Sequence, residues 1–229
     1  MNRIAIAGGL LASAALLTGC GLDSLAGPSE QDTASYEVTE KVTKLEVRNG
    51  SGDTLITETG GGSVKVDETL RWRGEKPVTE HTVNGDTLLI TFDCRRAWGD
   101  CGVDYEIEIP KGLQVKAEAG SGDVTLRSLS GPLAVNAGSG AVDAAGLTSK
   151  TVTGEVGSGD IELEYAAAPD DVRLETGSGS VTVRLPDEGY DVKTEVGSGE
   201  TTVSVRDDRG APRKVVISAG SGDVSVLPR

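Results

Sequence analysis

The sequence predicts an all-β protein built as a β-solenoid, a β-helix or β-roll of about 20 residues per coil. The main observation is a repeated Gly-Ser-Gly tripeptide, which begins at Gly120, Gly138, Gly157, Gly177, Gly197 and Gly220, with a seventh copy at Gly50. Successive copies in the run start 18, 19, 20, 20 and 23 residues apart. Apolar and polar residues alternate on both sides of each copy, a pattern that fits no amphipathic helix.

Aliphatic residues occur at fixed distances from each tripeptide. Five residues before the first glycine stand Val115, Leu133, Val152, Val172, Val192 and Val215. Four and six residues after it, most copies again have an aliphatic residue, as in Val124 and Leu126. This period of two predicts two short strands, each buried on one face. The glycines between them supply the positive φ that a tight turn requires.

Two architectures fit this repeat. In a solenoid, equivalent positions of neighbouring coils stack about 4.8 Å apart. An antiparallel meander or sandwich would also place every turn along one edge. We favour the solenoid because a meander has no need to keep the same residue class at the same offset in each unit.

The residue after each turn is acidic in four of the six units. These positions hold Asp123, Ala141, Asp160, Ser180, Glu200 and Asp223. Stacked like charges repel, so we interpret Ala141 and Ser180 as relief of that repulsion. A glycine-rich turn followed by aspartate is similar to the calcium-binding nonapeptide of repeat toxins, which makes Asp123, Asp160 and Asp223 weak calcium candidates. One acid per coil supplies too few oxygen ligands for Ca²⁺, so we expect no metal and no cofactor.

The region upstream of the run is less regular but has the same pattern. Leu45 and Val47 precede Gly50 at core offsets, and Asn84-Gly85-Asp86 is a hairpin signal. We therefore predict one β domain over 36–229, with an irregular part (36–112) that caps the stack and regular repeats (113–229). The opposite end is expected to leave an exposed edge at residues 226–229.

The N-terminus has the features of an export signal. Arg3 is followed by an apolar run from Ile4 to Leu17, too short to span a membrane comfortably as an uncleaved anchor. Residues 17–20, Leu-Thr-Gly-Cys, resemble the lipobox of bacterial lipoproteins. The resemblance implies a signal peptide at 1–19 and lipidation of Cys20, which would hold the protein on the extracytoplasmic side of the cell membrane. The small and polar residues that follow predict that 20–35 form a flexible tether.

Two cysteines remain once Cys20 is assigned to lipid. Cys94 and Cys101 lie in a chain expected in an oxidising compartment, so we predict that they form a disulfide. Strand-like segments precede and follow them, and the bridge is therefore expected to staple a hairpin loop.

Together, these segments resemble the bacterial putative-adhesin family, a β-strand-repeat domain of unknown function found in exported proteins. The resemblance rests on the strand 105–112, the segment 115–124 that leads into the first turn of the run, and the recurring tripeptides. It implies an all-β fold and an adhesive role but no catalytic or binding residues. Some relatives are encoded near envelope-stress regulators, which implies a sensor as the alternative function.

Composition favours binding over catalysis. The chain has one histidine and no evident nucleophile and base pair, so a glycan-acting enzyme is the least favoured reading. The net charge of −14 excludes nucleic acid as an expected partner. Two residues before the turns, a polar strand face presents Glu118, Glu155, Glu175 and Glu195, with Lys116, Arg173 and Lys193 two residues earlier. This face is the candidate site for an envelope protein or a cell-wall polymer, or it only keeps the sheet soluble.

Overall fold

The computed structural model describes residues 29–95 and 100–229. These residues form 20 β-strands in two ten-stranded sheets, and they form no helix. Accordingly, no helix long and apolar enough to cross a membrane occurs within this described part of the chain. The predicted signal peptide, Cys20 and the first part of the tether lie outside the described residues.

The strands of each sheet follow a fixed order in space. Sheet 1 contains, in order, β1 (Glu30–Val38), β4 (Val64–Trp72), β7 (Cys101–Ile109), β3 (Thr54–Glu58), β9 (Val124–Arg127), β11 (Val142–Leu147), β13 (Ile161–Tyr165), β15 (Val181–Leu185), β20 (Val224–Pro228) and β17 (Thr201–Val203). Sheet 2 contains β18 (Arg206–Asp207), β16 (Gly189–Ser198), β19 (Lys214–Ser221), β14 (Asp171–Ser178), β12 (Thr151–Ser158), β10 (Leu133–Ser139), β8 (Gln114–Ser121), β2 (Lys44–Ser51), β6 (Thr87–Asp93) and β5 (Val78–Asn84).

The two sheets are the two sides of a parallel solenoid. Each coil is one strand of sheet 2 followed by one strand of sheet 1, and neighbouring coils pair in parallel and in register. The described residues form eight such coils, in the spatial order β6/β7, β2/β3, β8/β9, β10/β11, β12/β13, β14/β15, β19/β20 and β16/β17. The solenoid prediction is confirmed, and the antiparallel alternative is excluded for the repeats.

The coils do not stack in chain order at either end. Near the N-terminus, β2/β3 lies between β6/β7 and the first coil of the regular run. Near the C-terminus, the last coil β19/β20 lies between β14/β15 and β16/β17. The longer interval before Gly220 supplies the connection for this return. The prediction of an exposed edge at 226–229 is therefore wrong, because β20 is paired on both sides and β17 forms the edge.

The core lies between the sheets and is mainly aliphatic. The predicted apolar positions are buried in every coil except the edge coil β16/β17, where Val192 is half-buried and Val203 is 38% exposed. Tyr105, Tyr165 and Tyr190 are the largest fully buried side chains. Their rings fill space between the sheets that the valines leave open.

Antiparallel strands cap the N-terminal end. Among the described strands, the antiparallel pairs are β1 with β4, β4 with β7, and β5 with β6, the last being the hairpin expected at Gly85. The rings of Tyr36 in β1 and His81 in β5 stack with centroids 4.1 Å apart and so join the two sheets at this end. Because β1 begins at Glu30, residues 30–35 belong to the sheet, and the predicted tether extends too far.

The disulfide between Cys94 and Cys101 is present, but it does not staple a hairpin. The strands on its two sides, β6 and β7, belong to different sheets and form one coil. The bridge joins Cα atoms 6.3 Å apart at the corner of this coil, where the other coils have Gly-Ser-Gly. Among the described corners that lead from sheet 2 to sheet 1, it therefore closes the one that lacks the tripeptide.

Candidate functional site

A long open groove runs across the coils on the outer face of sheet 2, beside the turns. We call it the main groove. Its volume is about 870 Å³, and it extends from Thr91 and Phe92 in β6 to Glu175 and Gly177 in β14. The groove crosses six strands of sheet 2, so its length is about 24 Å. Such a shape suits an extended polymer better than a small molecule.

The floor of the groove is made by the first glycines of five tripeptides. Gly50, Gly120, Gly138, Gly157 and Gly177 line it in successive coils. A Cβ atom built on any of the last four would lie 2.4 to 2.7 Å from the carbonyl oxygen of the stacked glycine before it. Close stacking of the corners therefore excludes side chains, and the exclusion leaves backbone accessible along the floor.

Polar side chains line the groove two residues before these glycines. We call the row that they form in sheet 2 the carboxylate row. The strand register aligns its members across the sheet in the order Arg48, Glu118, Asn136, Glu155, Glu175, Ser218 and Glu195. The predicted polar face therefore exists, and the structure brings Glu118, Glu155 and Glu175 together in the main groove.

Opposite charges neutralise one another at the β2 end of the row. Arg48 Nε lies 3.4 Å from Glu118 Oε2, and Lys116 Nζ lies 2.5 Å from Glu118 Oε1. Glu46 lies two residues before Arg48 in β2. Its Oε1 atom accepts a hydrogen bond from Arg48 at 2.7 Å and lies 3.4 Å from Lys116 Nζ. The hydrogen bond from Arg48 is the main reason why the pKa of Glu46 is held below its usual value. These four charges satisfy one another, so this end contributes little net charge.

The carboxylates beyond Asn136 have no such partners. Within the residues that the structure describes, no hydrogen bond or ion pair reaches the carboxylates of Glu155, Glu175 or Glu195. All three side chains are exposed, and Glu155 and Glu175 occupy neighbouring strands. Two like charges about 4.8 Å apart repel one another, and a cation between them would relieve that repulsion.

Glu195 lies in a second hollow that continues the main groove. This hollow has a volume of about 500 Å³ and is lined by strands β14, β19 and β16. Ser218 separates Glu195 from Glu175 in the carboxylate row, because β19 is inserted between β14 and β16. Asn136 likewise separates Glu118 from Glu155, so Glu155 and Glu175 are the two predicted glutamates that are direct neighbours, and Glu195 stands apart at the end of the stack.

The acidic residues that follow the turns were considered as calcium ligands and as stacked charges whose repulsion Ala141 and Ser180 relieve. The structure gives them a different role. The order in space of the row that follows the turns is Asp104, Asp53, Asp123, Ala141, Asp160, Ser180, Asp223 and Glu200. An Oδ1 atom in one coil accepts the backbone N–H of the stacked residue, as when Asp123 accepts from Ala141 at 2.8 Å and Asp160 from Ser180 at 2.7 Å. Asp223 accepts from Glu200 at 2.9 Å in the same way. These carboxylates stabilise the corner by hydrogen bonds to the backbone.

These hydrogen bonds change the interpretation of Ala141 and Ser180 and that of the calcium candidates. Ala141 and Ser180 do not protect the row from repulsion, because Asp104, Asp53 and Asp123 occupy three consecutive coils and are tolerated through bonds to N–H groups. The calcium candidates Asp123, Asp160 and Asp223 each commit one oxygen to the backbone. Among the described residues, no three His, Cys, Asp or Glu side chains group closely enough to hold a metal ion.

The fold and the repeat of this chain match those of a known family. The model of the Toastrack DUF4097 family matches residues 111–227, which is just over half of the chain. The chain belongs to this family. The match includes the coils from β8/β9 to the C-terminal end, and therefore most of the main groove. No curated protein matches the Toastrack chain significantly.

Solved structures share the fold of this Toastrack protein. A putative cell adhesion protein from Clostridium sporogenes is 14% identical, with a TM-score of 0.50 over 88% of this chain and 100% of that one. A putative adhesin from Bacteroides fragilis is 15% identical, with a TM-score of 0.54 over 86% of this chain and 97% of that one. At this level of identity, the likeness concerns the fold alone.

The main groove is also lined by Arg48, Asn136 and Phe92, which were not predicted from the sequence. Arg48 and Asn136 occupy the same offset from a tripeptide as the predicted glutamates, so comparing all seven copies at that offset would have found them. Phe92 had no such signal, because its coil lacks the tripeptide. It lies at the end of the groove only because β6 pairs with β2.

Proposed function

We propose that this chain is a non-catalytic, adhesin-like lipoprotein of the cell envelope that binds an extended, positively charged partner along the main groove. Lipid on Cys20 would hold it on the extracytoplasmic side of the membrane. The partner is a segment of an envelope protein or a cell-wall polymer with positive groups along its length.

One observation carries the proposal. Glu155 and Glu175 are exposed, have no partner among the described residues, and lie beside a floor without side chains. A polymer chain can approach that floor closely, and its cationic groups can reach both carboxylates. Ion pairs at an exposed face are individually weak, so affinity would come from repeated contacts along the polymer.

Three further features support a place outside the cytoplasm. The N-terminal sequence resembles a lipoprotein signal, and the Cys94–Cys101 disulfide suits an oxidising compartment. The two similar solved structures bear the names of adhesion proteins. Each feature is independent of the groove.

The groove does not have the features of a catalytic site. Glycan hydrolysis by two carboxyl groups requires different environments, so that one group stays protonated while the other is ionised. Glu155 and Glu175 instead occupy equivalent positions of neighbouring coils and are both exposed. We therefore propose binding without turnover.

Binding of the lipid-free mature chain (residues 20–229, Cys20→Ala) to envelopes of its own cells tests the proposal. The double variant Glu155→Gln/Glu175→Gln should reduce the bound amount, and added salt should weaken binding of the parent chain. The matched control is Glu106→Gln/Glu162→Gln, which removes the same charge from the outer face of sheet 1 and should bind normally.

Equal binding by the groove variant and the control would contradict the groove as the site. Digestion of the bound envelope by protease or by wall-degrading enzyme then identifies the source of the positive groups. Release of sugar products by the protein alone would overturn the non-catalytic part of the proposal.

A further inference from the structure

The C-terminal end of the solenoid is open within the part of the chain that the structure describes. There, the last coil, β16/β17, pairs with one neighbouring coil, and on its other side only two residues of β16 pair, with β18. Core positions are consequently uncovered there. Val192 and Val196 are half-buried, whereas the residues of the same two columns in the other coils are at most 7% exposed, apart from the half-buried Phe92 at the capped end. Val203 in β17 is 38% exposed.

We propose that this open end binds the open end of a second copy of the chain, through antiparallel pairing of the two β16 strands about a twofold axis at Thr194. Two identical edges related by a twofold axis across the end of the stack must run antiparallel. The pairing would extend sheet 2 from one copy into the other and cover the valines at the end of the core.

The side chains of β16 favour this register. With Thr194 opposite Thr194 of the second copy, Val192 faces Val196 on the core side, and Lys193 faces Glu195 on the outer side. Each of these two contacts occurs twice because of the symmetry. A shift that centres Lys193 would place Lys193 against itself and Asp191 against Glu195, and a shift that centres Glu195 would place Glu195 against itself. Only the first register pairs opposite charges and apolar side chains together.

The backbone of β16 also presents the required groups. Asp191 donates its N–H to Arg213 O at 2.8 Å, toward β19. Val192 donates its N–H to Asp207 Oδ1 at 3.2 Å, on the opposite side. Alternation along the strand then directs the N–H and C=O groups of Thr194 and Val196 to the free edge. Asp207 covers the donor of Val192, so the pairing rests on Thr194, Val196 and the carbonyl of Val192.

At the other end of the stack, the core is covered. There, the antiparallel strands β1 and β5 form the edges of the two sheets, and Tyr36 stacks on His81 between the sheets. A twofold contact at the C-terminal end, where the apolar positions are uncovered, gives a closed dimer.

Pairing at this end would place the two N-terminal ends at opposite ends of the assembly. Ten strands about 4.8 Å apart span about 43 Å in each copy, so the dimer would be about 90 Å long. If each copy is lipid-anchored, which rests on the proposed function, the two anchored ends lie at opposite ends of such a dimer. The pairing itself does not depend on the anchor or on the groove.

Charge reversal tests the pairing. We would measure self-association of the lipid-free mature chain (residues 20–229, Cys20→Ala) by analytical ultracentrifugation. Lys193→Glu alone and Glu195→Lys alone each create two like-charge contacts and should weaken association about tenfold or more. An equal mixture of the two variants restores two opposite-charge contacts and should form a heterodimer at least as tight as the parent dimer.

The groove variant Glu155→Gln/Glu175→Gln is the matched control and should associate like the parent chain, which separates this test from that of the proposed function. A parent chain that is monomeric at all concentrations would overturn the proposal. So would association that neither charge reversal weakens, or a mixture that fails to restore it.

Discussion

Steric constraints explain why each position of the tripeptide holds the residue it does, glycine, serine and glycine. In the six copies of the run, the first glycine stacks too closely on the neighbouring corner to carry a Cβ atom. The third glycine has a positive φ in every copy, between 111° and 149°, and also stacks closely. The serine between them carries a side chain without this conflict, and it is exposed in the six copies of the run. The repeat is therefore the consequence of corners that stack in register.

Substitution of a third glycine should destabilise the protein strongly. In Gly159→Ala, the added Cβ would lie 2.1 Å from Gly140 O, and φ at this position is 149°. We expect the free energy of unfolding to fall by about 2 kcal/mol or more, measured by chemical denaturation. Gly60→Ala is the control, because a Cβ there meets nothing within 4 Å. A loss in Gly159→Ala no larger than that in the control would contradict the account.

At the scale of the element, sequence pattern predicted what each coil is but not where it lies. Leu45 and Val47 stand at the core offsets from Gly50, but residues 36–112 were predicted to be an irregular cap, whereas β2 and β3 within them form a regular coil. Nothing local encodes which coil is its neighbour, because all coils present nearly the same valine-rich edges. The inserted coil β19/β20 was missed for this reason, and the separation of Glu195 from Glu175 was missed with it.

The corner of β6/β7, which the disulfide closes, shows the same limit of the sequence pattern. The strands on both sides were predicted correctly, but the pattern of a strand does not say to which sheet it belongs. A short loop between two strands can connect a hairpin or turn the corner of a coil, and only the long-range pairing with β2 and β3 decides.

Removal of the disulfide should destabilise the capped end. The double variant Cys94→Ser/Cys101→Ser frees the corner of β6/β7, and we expect the free energy of unfolding to fall by about 2 to 3 kcal/mol. The control is the parent chain under reducing conditions, which should show the same loss. Equal stability of the parent and the variant under oxidising conditions would mean that the bridge contributes nothing to the corner.

At the scale of the whole molecule, the tyrosines make stability depend on alkaline pH. All four tyrosines have a pKa raised above the usual value of about 10, in each case mainly because burial disfavours the phenolate. The charge of Glu68 raises the pKa of Tyr36 and Tyr105 further. The folded state therefore binds these protons more tightly than the unfolded state does.

The sign of the effect follows from this difference. The stabilisation is fully present below pH 10, and it is lost as the pH rises above about 10, where the unfolded chain releases its tyrosine protons. Stability should fall by about 1.4 kcal/mol per pH unit for each tyrosine that stays protonated in the fold. Denaturation curves between about pH 9 and 12 measure this slope. Tyr165→Phe should reduce the slope by one tyrosine, and an unchanged slope would contradict the assignment.

We propose that the partner of this protein binds on the outer face of sheet 2, beside the turns. Site-specific photo-crosslinking on living cells tests this binding site. The photoreactive residue would replace Asn136 in the main groove or, as the control, Asp143 on the outer face of sheet 1 in the same coil. We expect the probe at position 136 to capture a protein or wall polymer and the probe at position 143 to capture neither. Capture by neither probe, or by both equally, would contradict it.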